Sequence, residues 1–430
     1  MILSGSLSLF LFELAAIIFA AKLGGEVCER YLKQPAVLGE LAMGMIIGPY
    51  ALGSLPIPGL GPLFPMVAQQ AGSAAVAPVS TELYFIAQIA VIILLFSAGL
   101  GTDFGQFFRF AGPGLAIAAV GVVVSFVLGA TAAVVFGLAS SFSAPGALFT
   151  GAILSATSTG VTARMLRDLG KLGTPEGITT LAADVIDDVM GILVLTVVLG
   201  ISLGGLQVSQ VSINIGKAIG VWIAITVIGI FIAKYIARFA IAFKVVGAAI
   251  SIALAIALLT GGLAEEFGLA TVIGAYSIGL ALSNTQLANV LTRPIDTLHH
   301  VFVPIFFVVM GMLVNFQAVG GAVYYGLAIS ALASIGKLLG CGIPSLAVGF
   351  NFRGSARIGF GMVPRGEVNL IIASIGLTRG IIPQELFGIA VMAVMITIIV
   401  TPVILSAVYR LGGEGQRARA AQGGKNVFPL

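Results

Sequence analysis

Apolar runs of bilayer-crossing length follow one another along the whole of this chain, separated by short polar stretches. A transmembrane α-helix needs about 20 consecutive, mostly apolar residues. By that measure the pattern predicts 13 spans, at 4–24, 35–53, 82–101, 112–138, 146–169, 176–200, 211–233, 245–263, 268–285, 298–316, 322–350, 355–379 and 383–410. The fold class that follows is an all-α polytopic membrane protein. A single transmembrane domain covers 1–410, and a short polar tail over 411–430 is expected to be disordered.

Composition strengthens this reading. Hydrophobic residues make up 59% of the 430 and charged residues 9%, with mean hydropathy +1.13. Soluble domains carry about 25% charged residues. The opening "MILSGSLSLFLFELAAIIFAA" has no basic n-region, and Glu13 interrupts its apolar run, so it reads as the first span rather than a signal peptide. Cys28 and Cys341 are single and far apart, which implies neither a disulfide framework nor a metal site. The net charge of +4 sits in the loops, the ordinary mark of membrane topology, and does not call for nucleic acid.

The basic residues also give an orientation. Take the loop after the first span as cytoplasmic. Lys22, Arg30, Lys33, Arg109, Arg164, Arg167, Lys171, Lys234, Arg238, Lys244, Arg293, Arg353, Arg357 and the basic residues from Arg410 onward then share the cytoplasmic side. Lys217 and Arg379 fall outside, while Lys337 and Arg365 lie within spans. The N-terminus is expected outside and the C-terminus in the cytoplasm of a bacterial cell.

An internal repeat runs through the same pattern. "PAVLGELAMG" (35–44) resembles "ATVIGAYSIG" (270–279), and "LLFSAGLGTDF" (94–104) resembles "FFVVMGMLVNF" (306–316). "TPEG" (174–177) falls where "IPQE" (382–385) does. Six spans over 4–200 are repeated by six over 245–410, and the odd span at 211–233 links them. The second copy therefore enters the membrane from the other side, and the repeats are inverted. A Pro/Gly-rich stretch at 54–81 is expected as an external loop.

Two spans are interrupted at corresponding places. "GAILSATSTGVTARML" (151–166) has a small, hydroxyl-rich centre, and "GFGMVPRGEVNLIIAS" (359–374) carries Pro364 and Gly366 at mid-span, with Arg365 and Glu367 beside them. Irregular backbone at that depth is tolerated where it is buried in protein or lines a wet cavity. Paired breaks of this kind point to a transport site near the midplane. Asp187 and Asp188 lie near the centre of 176–200, with Asp184 three residues before the pair, Thr157 near the centre of 146–169 and Lys337 near that of 322–350. A charge at the bilayer centre costs about 2.5–3.5 kcal/mol on insertion scales. Such groups must pair or meet water, and Lys337 is the counter-charge at hand. The related place in the first repeat is near Ser125, so the lysine breaks the symmetry.

With "VIDDVMGILVL", "ATSTGVTARML", "GKLLG" and "MVPRGEVNLIIAS" in view, the chain resembles the second family of bacterial monovalent cation:proton antiporters, that is, NapA-type sodium/proton exchangers and the membrane part of Kef proteins. The resemblance covers nearly all the spans. It implies an NhaA-like fold with crossed broken helices and a homodimer. It also implies a core of spans 112–200 and 322–410 that slides, elevator-like, against scaffold spans 4–101 and 245–316. By resemblance Asp188 is the main ion ligand, Asp187 the partner of Lys337, Thr157 and Ser158 line the crossing, and Glu367 and Arg365 brace the half-helices. Adjacent aspartates resemble the pair of electrogenic exchangers. Asp184 departs from the pattern, which has a small residue there.

The chemistry of the residues agrees. Na⁺ or Li⁺ takes oxygen ligands, buried neighbouring carboxyls hold protons more tightly, and coupled groups of this kind exchange them near neutral pH. Cation and proton then compete for the same oxygens, which is antiport. The expected transported substrates are Na⁺ or Li⁺ and H⁺, with no cofactor and no enzymatic activity, in a role such as pH homeostasis. Two protons for one Na⁺ moves net charge, and a membrane potential is worth about 2.3 kcal/mol per charge per 100 mV. Glu13 is expected in a helix–helix contact and His299 and His300 as a solvated pair at a span end. Among rivals, an intramembrane aspartyl protease needs facing aspartates, whereas neighbours on one helix point about 100° apart. A cation channel would predict a continuous pore and ion flux without proton coupling, whereas the inverted repeat with broken helices favours alternating access. A K⁺/H⁺ antiporter or Kef-like K⁺ efflux system is the nearest alternative, although Kef proteins carry a large C-terminal nucleotide-binding domain and this chain runs on only about 20 residues past its last span.

Overall fold

The computed structural model describes residues 7–58, 61–66, 79–202, 208–314 and 323–417. In chain order its α-helices are α1 (Leu7–Val27), α2 (Ala36–Ile47), α3 (Thr81–Leu100), α4 (Phe104–Val135), α5 (Pro145–Ser155), α6 (Thr159–Asp168), α7 (Pro175–Ser202), α8 (Val208–Ala242), α9 (Ala248–Glu266), α10 (Thr271–Ser283), α11 (Gln286–Met312), α12 (Val323–Ala347), α13 (Phe352–Gly361), α14 (Glu367–Thr378) and α15 (Gln384–Arg410). Among the described residues 10 helices are long and apolar enough to cross a membrane, and Thr271–Ser283 and Val368–Leu377 are shorter apolar helices. The chain is a multi-pass helical membrane protein.

Several helices outrun the apolar stretches that announced them. α4 starts at Phe104 rather than 112, capped by Asp103, whose side chain accepts from Gln106 N at 2.7 Å. α11 starts at Gln286 rather than 298. The reason is that hydropathy marks only the lipid-facing part of a helix; an amphipathic turn beyond it keeps its helical hydrogen bonds without being apolar all round. One consequence corrects an expectation. His299 lies well inside α11, 2% exposed, with neither ring nitrogen hydrogen-bonded among the described residues, whereas His300 is exposed and donates to Asp296 O at 2.5 Å. The two histidines are not a solvated pair. Glu13 is 4% exposed in the packing of α1.

The tail is corrected as well. Residues beyond Arg410 turn back over the helix ends: Asn351 N donates to Gly415 O at 2.9 Å, Arg417 N to Gly349 O at 3.0 Å and Arg357 Nη2 to Gly412 O at 2.7 Å. Residues 418–430 lie outside the described residues, as do 67–78 of the expected external loop, which begins with a short ribbon pairing Pro56–Ile57 with Gly61–Pro62.

Packing partners come in matched sets. α1 packs on α2 and α9 on α10; α2 packs on α11 and α3 on α10; α4 packs on α5 and α7, and α12 on α13 and α15. The close crossings fall on glycines of the repeated motifs. A Cβ on Gly44 would run into the Val308 carbonyl and one on Gly311 into that of Leu41. One on Gly99 would meet the Tyr276 carbonyl and one on Gly279 that of Phe96. Small residues let membrane helices approach until their backbones touch, and dispersion then holds them.

Candidate ion-binding site

Two helices break where they pass each other. α5 ends at Ser155, Ala156 and Ser158 are extended (φ −73°, ψ 150° and φ −98°, ψ 97°), and α6 begins at Thr159. α13 ends at Gly361 and α14 begins at Glu367. Pro364 lacks an N–H and pushes the residue before it out of the helical region. Gly366 sits so close to Ser158 that a Cβ would strike its hydroxyl.

The freed backbone groups satisfy one another across the crossing. Ser158 N donates to Pro364 O at 2.8 Å, Thr157 Oγ1 to Met362 O at 3.2 Å and Thr162 Oγ1 to Gly361 O at 2.8 Å. Arg365, 1% exposed, covers the end of α5: Nη1 donates to Ala156 O at 2.5 Å and Nη2 to Ala333 O of α12 at 3.0 Å. A cation there meets the negative end of the half-helix dipole. Asn369 Nδ2 donates to Ile153 O at 2.5 Å and Ala156 O at 3.0 Å, and its Oδ1 accepts from Gly366 N at 2.9 Å. Asn369 went unnoticed in the sequence, although an amide two residues past Glu367 in an apolar span was a visible signal. The bracing expected of Arg365 is thus made to backbone carbonyls. The side chain of Glu367 lies outside the described residues.

α7 carries the acids past this crossing. Gly191 packs beside Ala156, where a Cβ would make ordinary contact at 3.5 Å. Asp184, Asp187 and Asp188 are 0%, 0% and 2% exposed. Lys337 Nζ of α12, 0% exposed, is 2.6 Å from Asp187 Oδ1. Asp188 Oδ2 accepts from Thr159 Oγ1 at 2.8 Å, a donor at the first turn of α6 that the sequence reading passed over. Among the described residues, Asp187 Oδ2 and both oxygens of Asp184 have no hydrogen-bond partner. Thus Asp187, Asp188, Lys337 and the 157–159 segment come together, Arg365 braces from behind, and Asp184 is buried one turn away.

The model of the family described as "Sodium/hydrogen exchanger, transmembrane" matches residues 15–411. The chain belongs to the sodium/hydrogen exchanger family. It is 33% identical to the Na⁺/H⁺-K⁺ antiporter GerN of Bacillus cereus over 96% of this chain and 99% of that one. It is 34% identical to the high-affinity Na⁺/H⁺ antiporter NhaS3 of a Synechocystis strain, over 93% and 89%. In fold it is similar to the sodium proton antiporter MjNhaP1 of Methanocaldococcus jannaschii, with TM-score 0.71, 19% identity and coverage of 94% and 96%.

In this exchanger the two faces of the site differ. On the face where residues 411–417 lie, α6 is tied to α2, α3 and α11: Arg164 pairs with Glu40 of α2 at 3.0 Å while holding Asp168 at 2.9 Å, and Arg167 pairs with Asp296 of α11 and donates to Ser97 of α3. Arg357 of α13 meets Glu176 of α7 at 2.7 Å on the same face. Glu40 and Arg164 are 2% and 6% exposed, so this is a buried pair between α2 and α6. On the opposite face a cavity of about 380 Å³ opens between α3 and the α9–α10 connection on one side and α7 and α14 on the other. Gly191, Ile192 and Val368 line it, the residues just beyond Asp188 and the second chain break.

Proposed function

We propose that this chain exchanges Na⁺ or Li⁺ for H⁺ across a bacterial cell membrane, electrogenically and by elevator-like alternating access. It works as a homodimer with its C-terminus in the cytoplasm. The observation that carries this reading is the buried Lys337–Asp187 pair set beside Asp188 at the crossing of two broken helices. Asp188 is the main ligand, with Thr157, Ser158 and freed carbonyls adding oxygens. A cation entering between Asp188 and Asp187 competes with the proton on the first and with the ammonium on the second. The same oxygens serve both cargoes, so one must leave before the other binds, and that is the coupling.

The matched packing sets and glycine crossings support 13 spans in two inverted repeats. The opening beside Gly191 and Val368 and the ion pairs that tie α6 to α2 and α11 support alternating access, and a second cavity of about 410 Å³ lies around the Arg357–Glu176 pair on the opposite face. GerN is a Na⁺/H⁺-K⁺ antiporter by name, so K⁺ belongs in the assay. Purified protein in liposomes, with a pH dye and a clamped potential, tests the reading. Na⁺ should drive H⁺ release at a rate that depends on potential, and Asp188→Asn should abolish it. Na⁺ without proton release ends the antiport reading, and a near-normal rate in Asp188→Asn ends the ligand assignment.

A further inference from the structure

We propose that Asp184 is a positioning residue for exchange: it is the second seat of the Lys337 ammonium, occupied when an incoming cation displaces the lysine from Asp187. Given the exchange reading above, Asp184 is what lets the lysine leave without becoming an unpaired charge.

Residues three and four apart share one side of a helix, so Asp184 stands on the side of α7 that carries Asp187 and Asp188. It is 0% exposed, and neither of its oxygens meets a donor among the described residues. Its charged and titratable neighbours are Asp187 and Asp188 on α7, Lys337 and Cys341 on α12 and Tyr276 on α10. The hydroxyl of Thr162 nearby is engaged with Gly361 O. Lys337 is the one cation in that set. It is a compact charge on a flexible four-carbon stem, suited to moving between two acceptors, unlike a guanidinium held by its fork. Arg365 is such a fork, fixed on Ala156 O and Ala333 O.

Among the described residues no three His, Cys, Asp or Glu side chains converge closely enough to hold a metal ion. Two cations cannot share Asp187, because a cation at the site and an ammonium 2.6 Å from Oδ1 repel each other. A buried ammonium without an acceptor is strongly disfavoured. Asp184 offers two oxygens that have no hydrogen-bond partner among the described residues, one turn from Asp187 and Asp188 on the same side of α7.

Initial rates of Na⁺-driven pH change in liposomes, taken over a range of Na⁺, test the second seat. In Asp184→Asn the lysine stays on Asp187 and competes with the cation, so KM for Na⁺ rises about tenfold or more while kcat changes less. Asp184→Glu restores the carboxylate and brings KM back toward the wild-type value. An unchanged KM in Asp184→Asn, or a loss confined to kcat, overturns the proposal. Should the Asn variant not be recovered as a monodisperse protein, Asp184→Ala carries the same test. Wild-type exchange together with an inactive Asp188→Asn keeps the exchange reading intact whichever way Asp184 falls. Wild-type protein that does not exchange ends both.

Discussion

Lys337 and Asp187 offer the sharpest test of how the site is held. The pair is 2.6 Å apart with both side chains at 0% exposure. At an effective dielectric constant near 20, charges at that separation attract by about 6 kcal/mol. Desolvating each ion costs several kcal/mol, so the intact pair contributes little net stability. Removing the lysine is different, because it leaves Asp187 buried and unpaired, at about 3–5 kcal/mol. Lys337→Gln should therefore lower the unfolding temperature, Asp187→Asn should lower it less because Asp184 can take the ammonium, and the double variant Lys337→Gln/Asp187→Asn should be more stable than Lys337→Gln. Thermal unfolding of detergent-purified protein, followed by the loss of the monodisperse peak, orders the four proteins. Additive losses in the double variant would refute the buried-pair argument. They would mean that each side chain is satisfied by groups other than its partner.

Two further outcomes follow from contacts between distant helices. Glu40→Gln removes one carboxylate from Arg164 and leaves Asp168, so the face that carries these pairs should open more readily. A cysteine placed at buried Ser97 should then react about tenfold faster with a maleimide, equivalent to about 1.4 kcal/mol. The native Cys28 and Cys341 are buried, and an unchanged rate would remove the pair's latching role. Gly279→Leu puts a side chain into the Phe96 backbone at the α3–α10 crossing, an overpacking cost of at least about 1–3 kcal/mol. Little monodisperse protein should be recovered, and wild-type yield and melting would show that the crossing can widen.

The sequence by itself determined what is local. Lipid solvent forces backbone groups into intrahelical bonds, so long apolar runs declare membrane helices without reference to their neighbours. "SATSTG" and "VPRGE" declare breaks, because hydroxyl, Pro and Gly residues at mid-span defeat the helix on their own. Asp184, Asp187 and Asp188 declare a buried acidic stretch for the same reason. Tertiary structure decided everything that joins distant residues. Which aspartate meets Lys337, 150 residues away, depends on the rotation of α7 about its axis, since adjacent side chains point about 100° apart. Glu40 and Arg164 are each visible as a charge in an apolar stretch, but that they pair depends on where α2 and α6 cross. His299 sits at a helix depth that hydropathy did not measure, and the tail after Arg410 found acceptors and donors on helix ends that no local pattern announces. Periodicity and chain breaks are written residue by residue; contacts between helices are set by packing, which the one-dimensional pattern does not contain.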